Sequence, residues 1–238
     1  MDNLFTGWTD VPLSERGTKE AVEAGRLMQE AGLRPDVVHE SLLLRAIQTT
    51  QLALAEMEMS WVPIKRSWRL NERHYGALQG LNKKQTAEQY GEAQVKLWRR
   101  SYDVRPPELA PDDKRHPSHD PRYAGLPPEL LPSAECLADV VGRMLPYWYD
   151  AIVPDVLNCS CVMVSAHGNS LRALVKHLDG LTDQEVVDLN IPTGVPRVYE
   201  LDSNLRPKAS RYLGDPADIE RRAAAVKAQA SGSKSPTT

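Results

Sequence analysis

The run Val162-Met163-Val164-Ser165-Ala166-His167-Gly168-Asn169-Ser170-Leu171-Arg172 constrains the fold more than any other stretch of the chain. An apolar, β-forming segment stops at a histidine and a glycine and restarts with helical spacing. That unit belongs to an α/β protein. It places His167 at the carboxyl end of a strand, where open α/β sheets bind ligands and the following helix offers unpaired N–H groups to an anion. The opening residues Met1-Asp2-Asn3-Leu4-Phe5-Thr6-Gly7-Trp8 read as loop, with no strand ahead of them.

The rest of the chain repeats the alternation. Ser14 caps a helix with Ala21, Ala24, Leu27 and Met28 on one face, stopping near Gly32. Residues 36–39 read as a short strand ending at Ser41, which is placed to cap a helix over 42–47, so that Arg45 falls near a first helical turn. A further strand is expected at 61–64, one helix at 84–100, a proline-laden loop at 105–132 and a helix at 136–149. Loops of that length more often carry function than fill space. A helix at 171–178 and a last strand at 197–201 complete a three-layer α/β sandwich with a mainly parallel central sheet. This domain spans residues 1–214; the tail, 215–238, holds an alanine-rich helical piece and then a stretch, Ser231-Gly232-Ser233-Lys234-Ser235-Pro236, expected to be disordered.

A formal net charge of −3 argues against a nucleic-acid partner, so anion binding must come from locally gathered arginines. No apolar run is long enough for a membrane span and no signal peptide is evident, which points to the cytoplasm. Cys159 and Cys161 stand too close together for an ordinary disulfide, and with Cys136 they are expected to be reduced thiols.

Candidate chemistry sits in four places. His167, Gly168 and Asn169 form a compact set of donors for phosphoryl oxygens; taken alone, His167 also reads as an ordinary hydrogen-bonding core residue. A metal is the rival, but no carboxylate or second histidine lies at ligand spacing there. Glu72, flanked by Arg73, His74 and Tyr75, is either a solvated loop carboxylate or a group exchanging protons with a substrate hydroxyl, and Tyr75 can bond a phosphate oxygen. Arg45, Lys83, Arg99 and Arg100 come from separate segments. Each is ordinary alone, yet together they would grip carboxylate and phosphate at once. The Thr6-Gly7 turn is a plain turn or a clasp for a substrate carboxylate.

Taken together, Phe5-Thr6-Gly7-Trp8, Ser41-Leu42-Leu43-Leu44-Arg45-Ala46, the block from Leu70-Asn71-Glu72-Arg73-His74-Tyr75-Gly76 to Lys83, Trp98-Arg99-Arg100, Ala166-His167-Gly168-Asn169 and Asn190-Ile191-Pro192-Thr193-Gly194 closely resemble the 2,3-bisphosphoglycerate-dependent phosphoglycerate mutases of the histidine phosphatase superfamily. The resemblance implies that Glu72 is proton donor and acceptor and that His167 stabilises phosphoryl transfer. Thr6, Gly7, Arg45, Tyr75, Lys83, Arg99, Arg100, Gly168 and Asn169 would bind the phosphoglycerate. It further implies interconversion of 2- and 3-phosphoglycerate in glycolysis and gluconeogenesis, 2,3-bisphosphoglycerate as phosphoryl primer, no metal, small phosphorylated three-carbon acids as partners, and a homodimer or homotetramer.

One departure stands out. The family's nucleophilic histidine lies in an Arg-His-Gly motif at the end of a first strand, upstream of the Phe-Thr-Gly-Trp turn, and that triplet occurs nowhere in the 238 residues. The expectation is a longer product with Met1 a miscalled start, and a sheet whose missing interior strand leaves unpaired groups on two neighbours. A second reading is a truncated, inactive phosphoglycerate-binding or subunit-interaction protein; a third is a phosphatase of the same superfamily.

Overall fold

In the computed structural model, which describes residues 3–231, helices cover both faces of a parallel sheet. The elements run α1 (Glu15–Glu30), β1 (Val37–Glu40), α2 (Leu44–Glu56), β2 (Ile64–Arg66), α3 (Lys83–Tyr90), α4 (Glu92–Arg100), α5 (Leu137–Tyr147), α6 (Val153–Asn158), β3 (Val162–Ser165), α7 (Gly168–Asp179), α8 (Asp183–Asp188), β4 (Arg197–Leu201), β5 (Pro207–Tyr212) and α9 (Pro216–Ser231). The tail's helical piece is therefore α9, which ends at Ser231; the rest of the stretch expected to be disordered lies outside the described residues.

β1 is central, parallel to β2 on one side and β3 on the other, with Val38 opposite both Ile64 and Met163. Side chains alternate across it. Val38 packs with Met28, Ala53, Leu54 and Met57 beneath α1 and α2, while Leu137, Val140, Met144, Ala173 and Leu174 of α5 and α7 form the core on the opposite face. β4 and β5 make a separate antiparallel pair. Among the described residues β3 pairs only with β1 and β4 only with β5, yet both border the same two cores: Val162, Val164 and Leu201 on one, Met163 and Val198 on the other.

Several local expectations shift. The strand foreseen at 61–64 lies at Ile64–Arg66, because Val62 is drawn down into the α1/α2 core as part of a turn. The single helix over 84–100 is two helices, broken at Gly91, whose φ of +85° is open to glycine and not to the helix. The helix expected at 171–178 begins earlier, at Gly168, and the one expected to reach 149 leaves α-geometry after Tyr147, close to Pro146. β5 and α8 had no sequence counterpart; β5 is mostly exposed and polar, so it shows no apolar alternation. Ser14 caps α1 as read, its Oγ accepting the Gly17 N–H. Ser41 does not cap α2: the helix starts at Leu44, and Asp10 Oδ1 takes the Leu44 N–H at 2.6 Å.

The opening segment is a loop that nevertheless pairs. Phe5 N–H donates to Leu81 O, Gly80 N–H to Phe5 O and Lys83 N–H to Asn3 O, carrying Phe5 to the flank of Tyr75 and Lys83 and Gly7 to Gln79 and Arg45. Phe5 is 1 % exposed, its ring 5.3 Å from that of Tyr75.

Candidate active site

Because β1, β2 and β3 are parallel, their carboxyl ends share one edge, and the segment after each strand contributes there. After β1 come Ser41 and Arg45; after β2, the irregular residues 70–75; after β3, His167, Gly168 and Asn169.

Glu72 Oε1 accepts the backbone N–H of Asn169 at 3.2 Å and its side-chain Nδ2–H at 2.8 Å, together with the Arg73 N–H at 2.7 Å. The carboxylate thus sits on the amino terminus of α7, where the helix dipole favours negative charge. Asn169 was expected to aim its donors at a phosphoryl group; they meet Glu72 instead, while its Oδ1 accepts from Arg172 at 3.0 Å. A Cβ built at Gly168 would lie 3.8 Å from Glu72 Oε2, an ordinary contact, so the carboxylate comes close to this residue without steric room requiring a glycine there.

His167, 8 % exposed, is the N-cap of α7, and its Nε2 lies 2.7 Å from Ser41 Oγ. Ser41 Oγ accepts from the Leu43 N–H and donates to Asn71 Oδ1 at 3.0 Å, and Asn71 Nδ2 donates in turn to Tyr123 OH at 2.9 Å. Asn71 Oδ1 only accepts, so the Ser41 proton points there and His167 must donate from Nε2. Burial holds the His167 pKa well below its ordinary 6.5, with the Arg45 and Arg143 charges acting in the same direction. The ring is neutral at pH 7.

The cations converge. Arg45 donates to Gly7 O at 2.8 Å and to Thr9 O, and its charge feels Glu72. Arg100 donates to Asn190 Oδ1 at 2.9 Å. Arg99, Arg100 and Lys83 all interact with Tyr75, and all three have pKa values lowered first by burial and then by one another or their neighbours. Burial raises the Tyr75 pKa, but Arg73 and Arg99 outweigh it together and leave it below the usual 10.

Two cations were not foreseen as site residues. Arg73, 1 % exposed, donates to Tyr75 OH and to the carbonyls of Trp98 and Arg99, which ties the end of α4 to the Glu72 segment. Arg172 lies one helical turn beyond Asn169, and burial brings its pKa down to about 10. That spacing was readable; the burial was not. Arg45, Arg73, Lys83, Arg99, Arg100 and Arg172 therefore surround Tyr75 and Glu72 with a large surplus of positive charge. Arg73 Nε, moreover, is buried with no hydrogen-bond partner among the described residues. Such a surround suits a small ligand with several negative charges. Among the described residues no group of three or more histidine, cysteine, aspartate or glutamate side chains is placed to hold a metal ion.

Gly7 carries a φ of +52°, and a Cβ there would come 2.2 Å from Gln79 Oε1, which accepts the Trp8 N–H at 2.7 Å. Gly7→Ala is expected to cost about 1–2 kcal/mol from the left-handed backbone alone, seen as a fall in Tm of roughly 2–8 °C. An unchanged melting curve would contradict this.

The profile of the histidine phosphatase superfamily (branch 1) matches residues 1–206. The chain is similar to the 2,3-bisphosphoglycerate-dependent phosphoglycerate mutase of Nitratidesulfovibrio vulgaris (strain Hildenborough), 59 % identical over 96 % of this chain and 92 % of that protein. The protein of the same name from Thermobifida fusca (strain YX) is also 59 % identical, over 96 % of this chain and 93 % of its own length. Among solved structures, a mycobacterial glucosyl-3-phosphoglycerate phosphatase shares 21 % identity at a TM-score of 0.61, covering 88 % of this chain and 90 % of that one. The alpha-ribazole phosphatase of Shigella flexneri shares 18 % at a TM-score of 0.62, covering 89 % and 88 %. At those identities the likeness is one of fold.

Proposed function

Because the chain belongs to branch 1 of the histidine phosphatase superfamily, and within it to the 2,3-bisphosphoglycerate-dependent phosphoglycerate mutases, we propose that its crevice serves the interconversion of 2- and 3-phosphoglycerate, a cytoplasmic reaction of glycolysis and gluconeogenesis. The observation that carries this reading is the charge: a ring of half-buried and buried guanidinium and ammonium groups around one carboxylate. The same surplus, with the unpartnered Arg73 Nε, fits 2,3-bisphosphoglycerate, which when bound supplies the phosphoryl group that charges the enzyme.

In this reading Arg45, Lys83, Arg99 and Arg100 bind the phosphate and carboxylate oxygens, Tyr75 adds a hydrogen bond, and Thr6 and Gly7 close the crevice wall. Glu72, tethered through Asn169, takes the proton from the substrate hydroxyl and returns it after transfer. His167, neutral, with its Nε2–H held toward Ser41, stays fixed beside the transferring group as negative charge redistributes over it. The covalent acceptor is by family a histidine in an Arg-His-Gly triplet, which is not among these 238 residues.

Calorimetric titration with 3-phosphoglycerate and with 2,3-bisphosphoglycerate tests the reading. Both are expected to bind, the bisphosphate more tightly, and added salt should weaken both. Arg45→Met should weaken binding about 10- to 100-fold, since a charge-assisted hydrogen bond contributes roughly 1.5–3 kcal/mol. Absence of binding by the folded protein, or sulfate binding as tight as the bisphosphate, would remove the proposal.

A further inference from the structure

Arg143 and Glu135 form an ion pair inside the protein, with side chains 6 % and 4 % exposed. Arg143 Nε donates to Glu135 Oε1 at 2.6 Å and Nη2 to Oε2 at 3.0 Å. The main chain takes the rest: Nη1 donates to Arg69 O at 2.7 Å, and the second N–H of Nη2 is shared between Asn71 O and Glu72 O, each at 2.9 Å. Glu135 continues the pattern, since its Oε2 accepts the His74 N–H and its own N–H donates to His74 O, both at 2.8 Å. Trp8 Nε1–H also donates to Glu72 O.

Residues 71–75 form no helix or strand, so their buried carbonyls must find partners elsewhere. One planar guanidinium supplies two of them, on Asn71 and Glu72, as well as Arg69 O just before, and its counter-ion fixes the residue after Arg73. Arg69 answers by donating to Arg143 O at 3.0 Å. The direction in which Glu72 leaves the backbone, toward Asn169, is therefore set from the side of α5 as well as by the Arg73 N–H of its own segment and the Trp8 indole. From this geometry we propose that Arg143 and Glu135 are positioning residues for the Glu72 carboxylate. The assignment rests on the role given to Glu72 above. Lysine cannot replace the fork, because its donors radiate from a single nitrogen. An apolar pair of similar volume can replace a buried ion pair in stability, but cannot hold carbonyls.

NMR of the wild-type protein gives the first test. The Nη1 and Nη2 groups of Arg143 should give separate resonances from hindered rotation, and the Trp8 indole N–H should exchange slowly with solvent; a single averaged Nη signal overturns the proposal. Arg143→Lys should then speed exchange of the Trp8 indole N–H and of the Asn169 side-chain amide at least about tenfold, in a protein still folded by circular dichroism. The double variant Arg143→Met/Glu135→Leu should recover most of the melting temperature lost by Arg143→Met alone while keeping the fast exchange. Wild-type exchange in either folded variant shows a merely structural pair and overturns the proposal. If 3-phosphoglycerate fails to bind wild type although these signatures hold, the mutase reading falls and the positioning geometry stands. If it binds while they fail, the reverse is true.

Discussion

Supplied with 2,3-bisphosphoglycerate and 3-phosphoglycerate, the 238-residue polypeptide is expected to bind both, to form no acid-labile phosphohistidine and to release no 2-phosphoglycerate. A covalent carrier must present an imidazole nitrogen to phosphorus at about 3 Å. The histidines are otherwise committed. His39, fully buried, lies between Tyr147 OH at 2.9 Å and Asp155 Oδ2 at 2.8 Å. His74 accepts from the Gly76 N–H through Nδ1 and meets Gln79 through Nε2. His116 contacts Ser118 and Ser133, His119 contacts Pro111 O, and His177 packs edge-on against Trp148 and Tyr149. Among the described residues only the His167 imidazole faces the crevice, with its Nε2 held by Ser41, and it cannot both accept the phosphoryl group and stabilise its own attack. A coupled assay should find turnover at least roughly a thousandfold below the ~10 per second common among enzymes. Turnover near that rate, or a stable label on His167, would show that the acceptor had been misassigned.

Acid should unfold the protein steeply below pH 6.5. Burial is the main cause lowering His74 to about 3, aided by the His116 and Arg143 charges, and it is also what holds His167 well below 6.5. Both pKa values are depressed on folding, so between pH 6.5 and the folded values the unfolded chain binds protons that the native chain excludes. Stability is therefore full above pH 6.5 and declines as pH falls. A histidine that takes its proton only on unfolding contributes about 1.4 kcal/mol per pH unit, so His74 alone amounts to about 2 kcal/mol between pH 6.5 and 5, with His167 adding in the same direction, against the roughly 5–15 kcal/mol of a typical domain. His39 shifts the same way, chiefly by burial, with Asp155 opposing. Urea midpoints at pH 7.5, 6 and 5 should fall progressively, and His74→Gln should flatten the slope. Midpoints independent of pH would contradict this assignment.

Much of what depends on neighbours in the chain was legible from residue order alone. The Ser14 cap needs only a hydroxyl three residues before an N–H, and the turn from strand to helix around His167 follows from an apolar run meeting glycine. Glu72 and the scattered cations were recognisable as candidates because such residues in irregular or helix-terminal segments have no packing role to fill. Even the break at Gly91 had its signal, a glycine inside a helical pattern, although its +85° φ was needed to decide it.

Only the folded molecule decided which donor meets which acceptor. Asp10, not Ser41, finishes the start of α2; Asn169 turns its amide to Glu72; Arg143 gathers carbonyls that precede it by more than seventy residues. Helix caps and turns are short-range and carry their own residue preferences. A buried hydrogen bond between distant segments has no periodicity to announce it, because its partners are chosen by the way the layers close over them.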